Sequence, residues 1–279
     1  MQLAVSMLDG FRAHLIEEER SSATIEKYLR DVGAFIGFLP ADRQADKEQV
    51  LAYKDHLASR GYAIASINSM LAAINRFFDY LGCPQFRVRP FKRQRTLFRD
   101  RNRELTKEEY VRLVKAAEQK GNERLYWLLQ TICATGIRVS EVRFITVEAA
   151  RSGRAVISLK GKVRTILLPG KLCRKLLKYA HKQKIASGEL FITKGGRSLS
   201  RGNIWADMKR LCTAAGVERS KVFPHNLRHL FARSFYSIDR DIVRLADVLG
   251  HTSIETTRIY TISSGDEHAR KLEQLHLLI

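Results

Sequence analysis

Cysteine is scarce and shows no pairing pattern. The chain of 279 residues has four, Cys83, Cys133, Cys173 and Cys212, and no two stand in a Cys-x-x-Cys spacing. Neither a zinc ribbon nor a disulfide framework is indicated, and a reducing, cytosolic setting is expected. Long apolar runs are missing as well. No stretch approaches the roughly 18 consecutive apolar residues that a spanning helix needs. The opening "MQLAVSMLDGFRAHLIEEER" has no basic lead and only a short apolar stretch, so it reads as a first amphipathic helix and not as a secretion signal. Internal repeats and low-complexity tracts are absent. Acidic residues are in deficit. Asp and Glu number 29 against 49 Lys and Arg, a net charge of +20 at pH 7. The apolar share of 45% is ordinary for a globular protein, so the charge excess sits on a folded chain and implies a polyanionic partner. Nucleic acid is the first candidate. An anionic membrane surface is the second, and the lack of apolar runs weakens it.

What is present is largely helical. In "SSATIEKYLRDVGAFIGFL" the residues Ile25, Tyr28, Leu29, Val32, Phe35, Ile36 and Leu39 form one stripe, which Pro40 ends. "AIASINSMLAAINRFFDYLG" repeats the pattern with Ile64, Ile67, Met70, Leu71, Ile74, Phe77, Phe78 and Leu81, and Gly82 stops it. With helices expected at about 3–19 and 47–60, residues 1–85 make a small four-helix domain. The composition then shifts. "FRVRPFKRQRTLFRDRNR", residues 86–103, carries eight Arg or Lys and one Asp without a clean period. Like charges at this density repel unless an anion lies against them, so the tract reads as an extended basic linker.

A second domain, 104–279, opens at "ELTKEEYVRLVKAAEQ", where Thr106 and Glu109 have capping-box spacing. A helix follows at about 123–134, and Gly136 breaks the chain just before Arg138. "RAVISLKGKVRTILLP" is the one strong strand signal, a hairpin turning at Gly161-Lys162 and closed by Pro169. Helices are expected again at about 171–185, 200–215, 225–237, 241–249 and 266–277. The fold class is therefore mainly α with a small β component: an N-terminal helical domain and an α+β second domain.

Several residues suit phosphodiester chemistry. "PHNLRHLFARSF" sets His225 and Arg228 three apart on one helix face, behind a Pro that fits the first helical turn. Arg offers a planar fork to phosphate oxygens, and His moves protons near neutral pH. His229 also stands four residues from His225, which raises a zinc reading with Cys212 as a third ligand. The metalloprotease pattern would need Glu where Asn226 stands, so the metal-free reading is preferred and His229 is expected to make ordinary contacts. In "LGHTSIETTRIYTIS", His251 precedes Tyr260 by nine residues, and Thr252 with Glu255 has capping-box spacing. Seven of those fifteen residues are Thr or Ile, which favour strands by propensity. The box turns the reading to a short helix starting at Thr252, marginal by propensity, with Ile254 and Ile259 on its buried side.

Taken together these motifs resemble the tyrosine recombinase (phage integrase) family, and compact Xer-type members most. "ATGIRVSE" looks like the first-arginine motif and supplies Arg138. "LKGKVRTILLP" looks like the lysine hairpin and supplies Lys160, with Lys162 a local rival. "HNLRH" is similar to the His-x-x-Arg box with His225 and Arg228, "LGH" to the second-histidine motif with His251, and "TTRIYT" to the nucleophile motif with Tyr260. Gaps of 3, 23 and 9 residues from His225 onward fit the family order. The helical N-terminal unit looks like the family's core-binding, SAM-like domain. Glu141 fits the family's acidic position, either orienting the site or pairing with a neighbouring Arg.

The resemblance implies strand cleavage and rejoining on double-stranded DNA through a 3′-phosphotyrosine and a Holliday junction. Tyr260 would attack the scissile phosphate, Arg138 and Arg228 would bracket its non-bridging oxygens, and Lys160 would protonate the departing 5′-oxygen. His225 would assist proton transfer, and His251 would hydrogen-bond a phosphate oxygen. The bond energy stays in the phosphotyrosine, so no cofactor, ATP or metal is expected. The resemblance further implies a C-shaped clamp around a core site with inverted repeats. It implies a cyclic tetramer closed by the C-terminal exchange helix, 266–279, and a nucleoid-associated, cytoplasmic setting without membrane. The length leaves no room for an arm-binding domain ahead of the first helices. A non-catalytic DNA-binding protein on the same scaffold and a type IB topoisomerase-like enzyme are the alternatives.

Overall fold

The computed structural model describes residues 1–92, 101–159, 162–260, 270 and 273–275, and of Arg101, Leu159 and Lys162 it describes the backbone only. The chain divides into two compact units, Met1–Arg95 and Thr96–Ile279.

The first unit is four helices: α1 (Met7–Glu17), α2 (Ser22–Phe38), α3 (Lys47–Ser59) and α4 (Ile64–Tyr80). Ser21 and Asp46 cap α2 and α3 by accepting from the backbone N–H of Thr24 and Gln49. Each helix turns an apolar stripe inward, and Phe11, Val32, Phe35, Val50, Leu71, Phe77 and Phe78 form the centre of the core. Ile64 departs from its expected stripe. It is the first residue of α4 and stays exposed, because the stripe only meets the core from Ile67 on. The tract from Phe86 begins differently from an extended linker. Pro84–Phe86 is a short 3₁₀ turn, and the residues after it lie along α4. Asn75 and Asn68 each use the whole amide: Asn75 pairs with the N–H and C=O of Val88, and Asn68 with those of Phe91, at 2.8–3.0 Å. The side-chain amides thus stand in for a neighbouring strand.

The second unit holds α5 (Lys107–Gln119), α6 (Glu123–Thr135), a 3₁₀ turn at Val139–Phe144, α7 (Val147–Ser152), β1 (Arg154–Leu159), β2 (Lys162–Leu167), α8 (Gly170–Lys182), α9 (Arg201–Lys209), α10 (Cys212–Ala215), α11 (Pro224–Asp239), α12 (Ile242–Leu249) and α13 (Ile254–Arg258). The Thr106–Glu109 capping box forms in full at α5. The strands pair antiparallel from Arg154↔Leu167 to Leu159↔Lys162, with Ile157 opposite Arg164. Ala155, Ile157 and Ile166 face the core while Val156, Val163 and Leu167 face out, the period-2 alternation of a sheet with one covered face. The expected helix over 200–215 is two helices, α9 and α10, divided at Arg210–Leu211. The 3₁₀ turn and α7, between Arg138 and the hairpin, have no long apolar stripe to announce them.

Gly136 is the hinge between α6 and the motif that follows. Its φ of 63° is left-handed, and a Cβ there would stand 2.3 Å from the Phe231 ring of α11. Both the conformation and the close approach require glycine. Among the described residues no helix is long and apolar enough to cross a membrane. All four cysteines are free thiols.

Candidate active site

Five of the expected site residues converge on one cleft. A cavity of about 520 Å³ is lined by Arg138, His225, Arg228, His251 and Tyr260, together with Arg201 and Trp205 of α9. Arg138 leaves α6 through Gly136, His225 and Arg228 come from the first turns of α11, His251 follows the C-terminus of α12, and Tyr260 follows α13. Lys160 lies outside the described residues, and Lys162 enters only as the backbone partner of Leu159.

Arg228 is the anchor. It is 1% exposed, and its guanidinium donates to the carbonyl of Gly136, to that of Leu249 at 2.8 Å and to Nε2 of His251 at 2.9 Å. An arginine only donates, so Nε2 of His251 is the acceptor in this contact. The proton of a neutral His251 ring is then on Nδ1, which donates to Oγ1 of the buried Thr257 at 2.8 Å. Thr257 also accepts the backbone N–H of Tyr260 through its carbonyl at 3.0 Å. One residue of α13 therefore orients the histidine and holds the tyrosine. Burial, then the neighbouring Arg138, lowers Arg228 to about 10, and the nearby Tyr260 phenol acts the other way.

Tyr260 is 3% exposed and packs with Ala232, Leu245 and Leu249 in a small apolar cluster. The ring of His229 meets it edge-on at 4.8 Å, and the ring of His251 lies parallel at 6.0 Å. His225 touches His229 at 4.5 Å and is itself exposed to the cleft. His229 is thus a packing ring between His225 and the tyrosine. Cys212 is buried and directs its thiol to the Met208 carbonyl, and no group of three or more metal-type ligands occurs among the described residues.

The short helix differs from its expected form in two details. Its cap is Ser253, which accepts from the Glu255 N–H, so the helix starts at Ile254 and not at Thr252. Ile254 and Ile259 are 49% and 42% exposed. The five residues of α13 and the turn that follows have room for one inward row, and Thr257 and Tyr260, three apart, occupy it.

On the other side of Arg138 lies an ion cluster. Glu141, 4% exposed, accepts from the Arg138 backbone N–H at 2.7 Å and from its guanidinium at 3.0 Å. It also accepts a two-pronged contact from Arg164 at 3.1 and 2.5 Å. Burial alone would raise the Glu141 carboxyl, but Arg164 and Arg138 outweigh it and hold the group below the usual carboxylate range. Arg138 donates further to the Gly250 carbonyl at 3.1 Å, and its side chain remains 39% exposed toward the cleft. Glu141 therefore pairs with two arginines and orients the first of them. Arg164, Arg201, Trp205 and Thr257 were not singled out from the sequence. Arg164 carries a usable signal, standing two residues beyond Lys162 in the expected hairpin, whereas Arg201 and Trp205 reach the cleft only through tertiary packing.

Residues 103–267 match the Phage integrase family and residues 8–82 the Phage integrase, N-terminal SAM-like domain. The chain belongs to the phage integrase family. Among relatives, the tyrosine recombinase XerA of Pyrococcus furiosus is 31% identical, over 99% of this chain and 96% of its own. In fold the family member is similar to a lambda integrase dimer bound to a COC′ core site, with a TM-score of 0.74 at 19% identity over 93% of this chain and 95% of that one. It is also similar to a lambda integrase tetramer bound to a Holliday junction, with a TM-score of 0.72 at 18% identity over 91% and 76% of the two chains.

The site predicts a pH dependence. Burial, then Arg228, Arg138 and Arg164, lowers His251 to about 4, and His225 is lowered in the same direction by burial and the arginines around it. An unfolded histidine titrates near ~6.5, so between ~6.5 and ~4 the unfolded chain binds more protons and stability falls as pH falls. The contribution is complete above that window. The urea midpoint should drop from pH 7.5 to pH 4.5, and His251→Gln should flatten part of the slope. An identical difference between variant and wild type at both pH values would contradict the assignment.

Proposed function

We propose that this chain is a site-specific DNA recombinase that cleaves and rejoins strands through a 3′-phosphotyrosine. The observation that carries the reading is the convergence of Arg138, His225, Arg228, His251 and Tyr260 on one cation-rich cleft. Tyr260 attacks the scissile phosphorus, forming its bond to the 3′-phosphate as the 5′-oxygen leaves. Arg138, exposed to the cleft, and Arg228, beneath it, stabilise charge on the non-bridging oxygens of the pentavalent state. His225, open to the cleft, serves proton transfer at the phenol.

His251 needs one change of state for its role. In the DNA-free chain its Nε2 accepts from Arg228 and so has no proton to give. A phosphodiester brings a negative charge that opposes the arginines' effect on the ring, and a protonated Nε2 can then donate to a phosphate oxygen. Lys160 is the proposed general acid, with Lys162 its rival. A substrate with sulfur at the 5′-bridging position has a leaving group that needs no proton. It should rescue Lys160→Ala and leave Lys162→Ala unchanged, and rescue of Lys162→Ala alone would reverse the choice.

Residues 1–85 serve as the core-binding domain, 86–103 as the linker and 104–279 as the catalytic domain. DNA is the partner, a short core site with inverted repeats, and the chain acts as a multimer on it. The solved neighbours bound to a core site and to a Holliday junction support both statements. The closed tetramer through 266–279 is part of the proposal, and of that segment Arg270 and residues 273–275 fall within the described residues. A nucleoid location follows from the DNA partner. The test is a nicked suicide duplex built on inverted repeats sought in the DNA around the gene. An SDS-stable protein–DNA adduct is expected, and relaxation of arbitrary supercoiled DNA by protomers alone would favour a topoisomerase instead.

A further inference from the structure

We propose that Arg164 is a positioning residue of the recombinase reaction, one that keeps the charge of Arg138 available to the phosphate. The inference rests on the recombinase reading above. Arg164 comes from β2, opposite Ile157, and reaches across to the 3₁₀ turn that carries Glu141. Its Nε and one terminal nitrogen fork onto the two Glu141 oxygens at 3.1 and 2.5 Å. The other terminal nitrogen donates to the Val248 carbonyl of α12 at 3.4 Å. The side chain is 17% exposed, so the contact is shielded from water and salt.

The cluster contains two guanidinium groups and one carboxylate. Glu141 is shared, with Arg138 on one oxygen and Arg164 on both. With Arg164 present the trio carries a net single positive charge, and the exposed member is Arg138. Without it, Glu141 would pair with Arg138 alone and cancel its charge at the cleft. A charge that must act on a developing oxyanion loses most of its effect when a buried carboxylate neutralises it nearby.

A second observation binds the same side chain to the histidine loop. Gly250 has a φ of 61°, and a Cβ there would stand 2.6 Å from both Cδ and a terminal nitrogen of Arg164. The Gly250 carbonyl accepts from Arg138, and the next residue is His251. Arg164 is thus the floor on which the Gly250 backbone rests. It fixes where Arg138 finds its carbonyl and where the His251 loop begins.

The test measures DNA affinity and the single-turnover rate of adduct formation on the suicide duplex, with wild type as the control. Arg164→Ala should lower the cleavage rate about 100-fold while the Kd moves less than about threefold. Arg164→Lys should recover about tenfold of that loss, since it returns the charge without the fork. The deciding variant is Arg164→Ala with Glu141→Gln, which removes the uncompensated carboxylate. It should cleave about tenfold faster than Arg164→Ala alone. The 5′-bridging sulfur substrate should not rescue Arg164→Ala, because the defect lies at the non-bridging oxygens. Further loss on adding Glu141→Gln, sulfur rescue, or a Kd that weakens in step with the rate would overturn the proposal. If Arg164→Ala is too unstable to assay, Arg164→Gln, which removes the charge and keeps most of the side chain's length, carries the same comparison with and without Glu141→Gln. An inactive wild type would instead count against the recombinase reading itself.

Discussion

Tyr260→Phe should abolish the SDS-stable adduct and leave DNA binding intact. The substitution removes one oxygen and keeps a ring that is almost wholly enclosed by His229, His251 and the Ala232–Leu245–Leu249 cluster. Packing survives, so the variant folds. What it loses is the atom that would bond to phosphorus, and loss of a nucleophile in a cooperating site costs on the order of 10⁴-fold or more. Gel shift on the intact duplex and denaturing electrophoresis on the nicked one separate the two effects. An adduct that persists in the Phe variant would assign the nucleophile to another residue.

Arg228→Ala should damage the protein twice. In a chain this basic an arginine would ordinarily be a surface charge, yet this one is fully buried and joins three segments, the Gly136 corner, the end of α12 and His251. Truncation leaves two backbone carbonyls and an imidazole nitrogen without their donor. Each buried unsatisfied group costs about 1–3 kcal/mol, so the variant should lose about 3 kcal/mol or more in urea unfolding. Arg228→Lys keeps the charge and can satisfy fewer of the acceptors. It should fold and bind DNA, with cleavage reduced about 10²–10³-fold, the scale seen when a single oxyanion donor is lost. An Ala variant within about 1 kcal/mol of wild type would show that the three acceptors find other partners, and that the burial is not structural.

How much of this was legible follows the range of the interaction. Capped helices with wide apolar stripes, such as α2, α4 and α5, are written in local sequence, and so is the Gly136 stop. The spacing of His225, Arg228, His251 and Tyr260 brought out residues that share a cleft, because the elements joining them are short. The short helix before Tyr260 was legible in type and not in detail. Ser253 and Thr252 both suit a cap, and only the backbone decides between them. Ile254 and Ile259 look buried by hydropathy, but a five-residue helix and its closing turn have one inward row, which goes to Thr257 and Tyr260. Thr257 is chosen for its hydroxyl, which an apolar scale scores against. Arg164 looked like one more cation in a basic hairpin. Its meaning depends on a strand register and on a carboxylate 23 residues away. The docking of Val88 and Phe91 by two asparagines was likewise hidden, since an amide that mimics a strand leaves no periodicity.

Arg228 has one further consequence. Besides His251, its hydrogen bonds go to the last carbonyls of two helices, Gly136 at the end of α6 and Leu249 at the end of α12, and among the described residues none goes to a carboxylate. A helix C-terminus carries roughly half a negative elementary charge, so two of them approach the charge of one acid. The buried cation is therefore balanced by oriented peptide dipoles, which no proton can neutralise and no substrate displaces. In the proposed mechanism, an acid in their place would compete with the phosphodiester for the same guanidinium. Dipoles hold the cation in position while leaving its formal charge unpaired, and in the proposed reaction the phosphodiester would be its counter-ion.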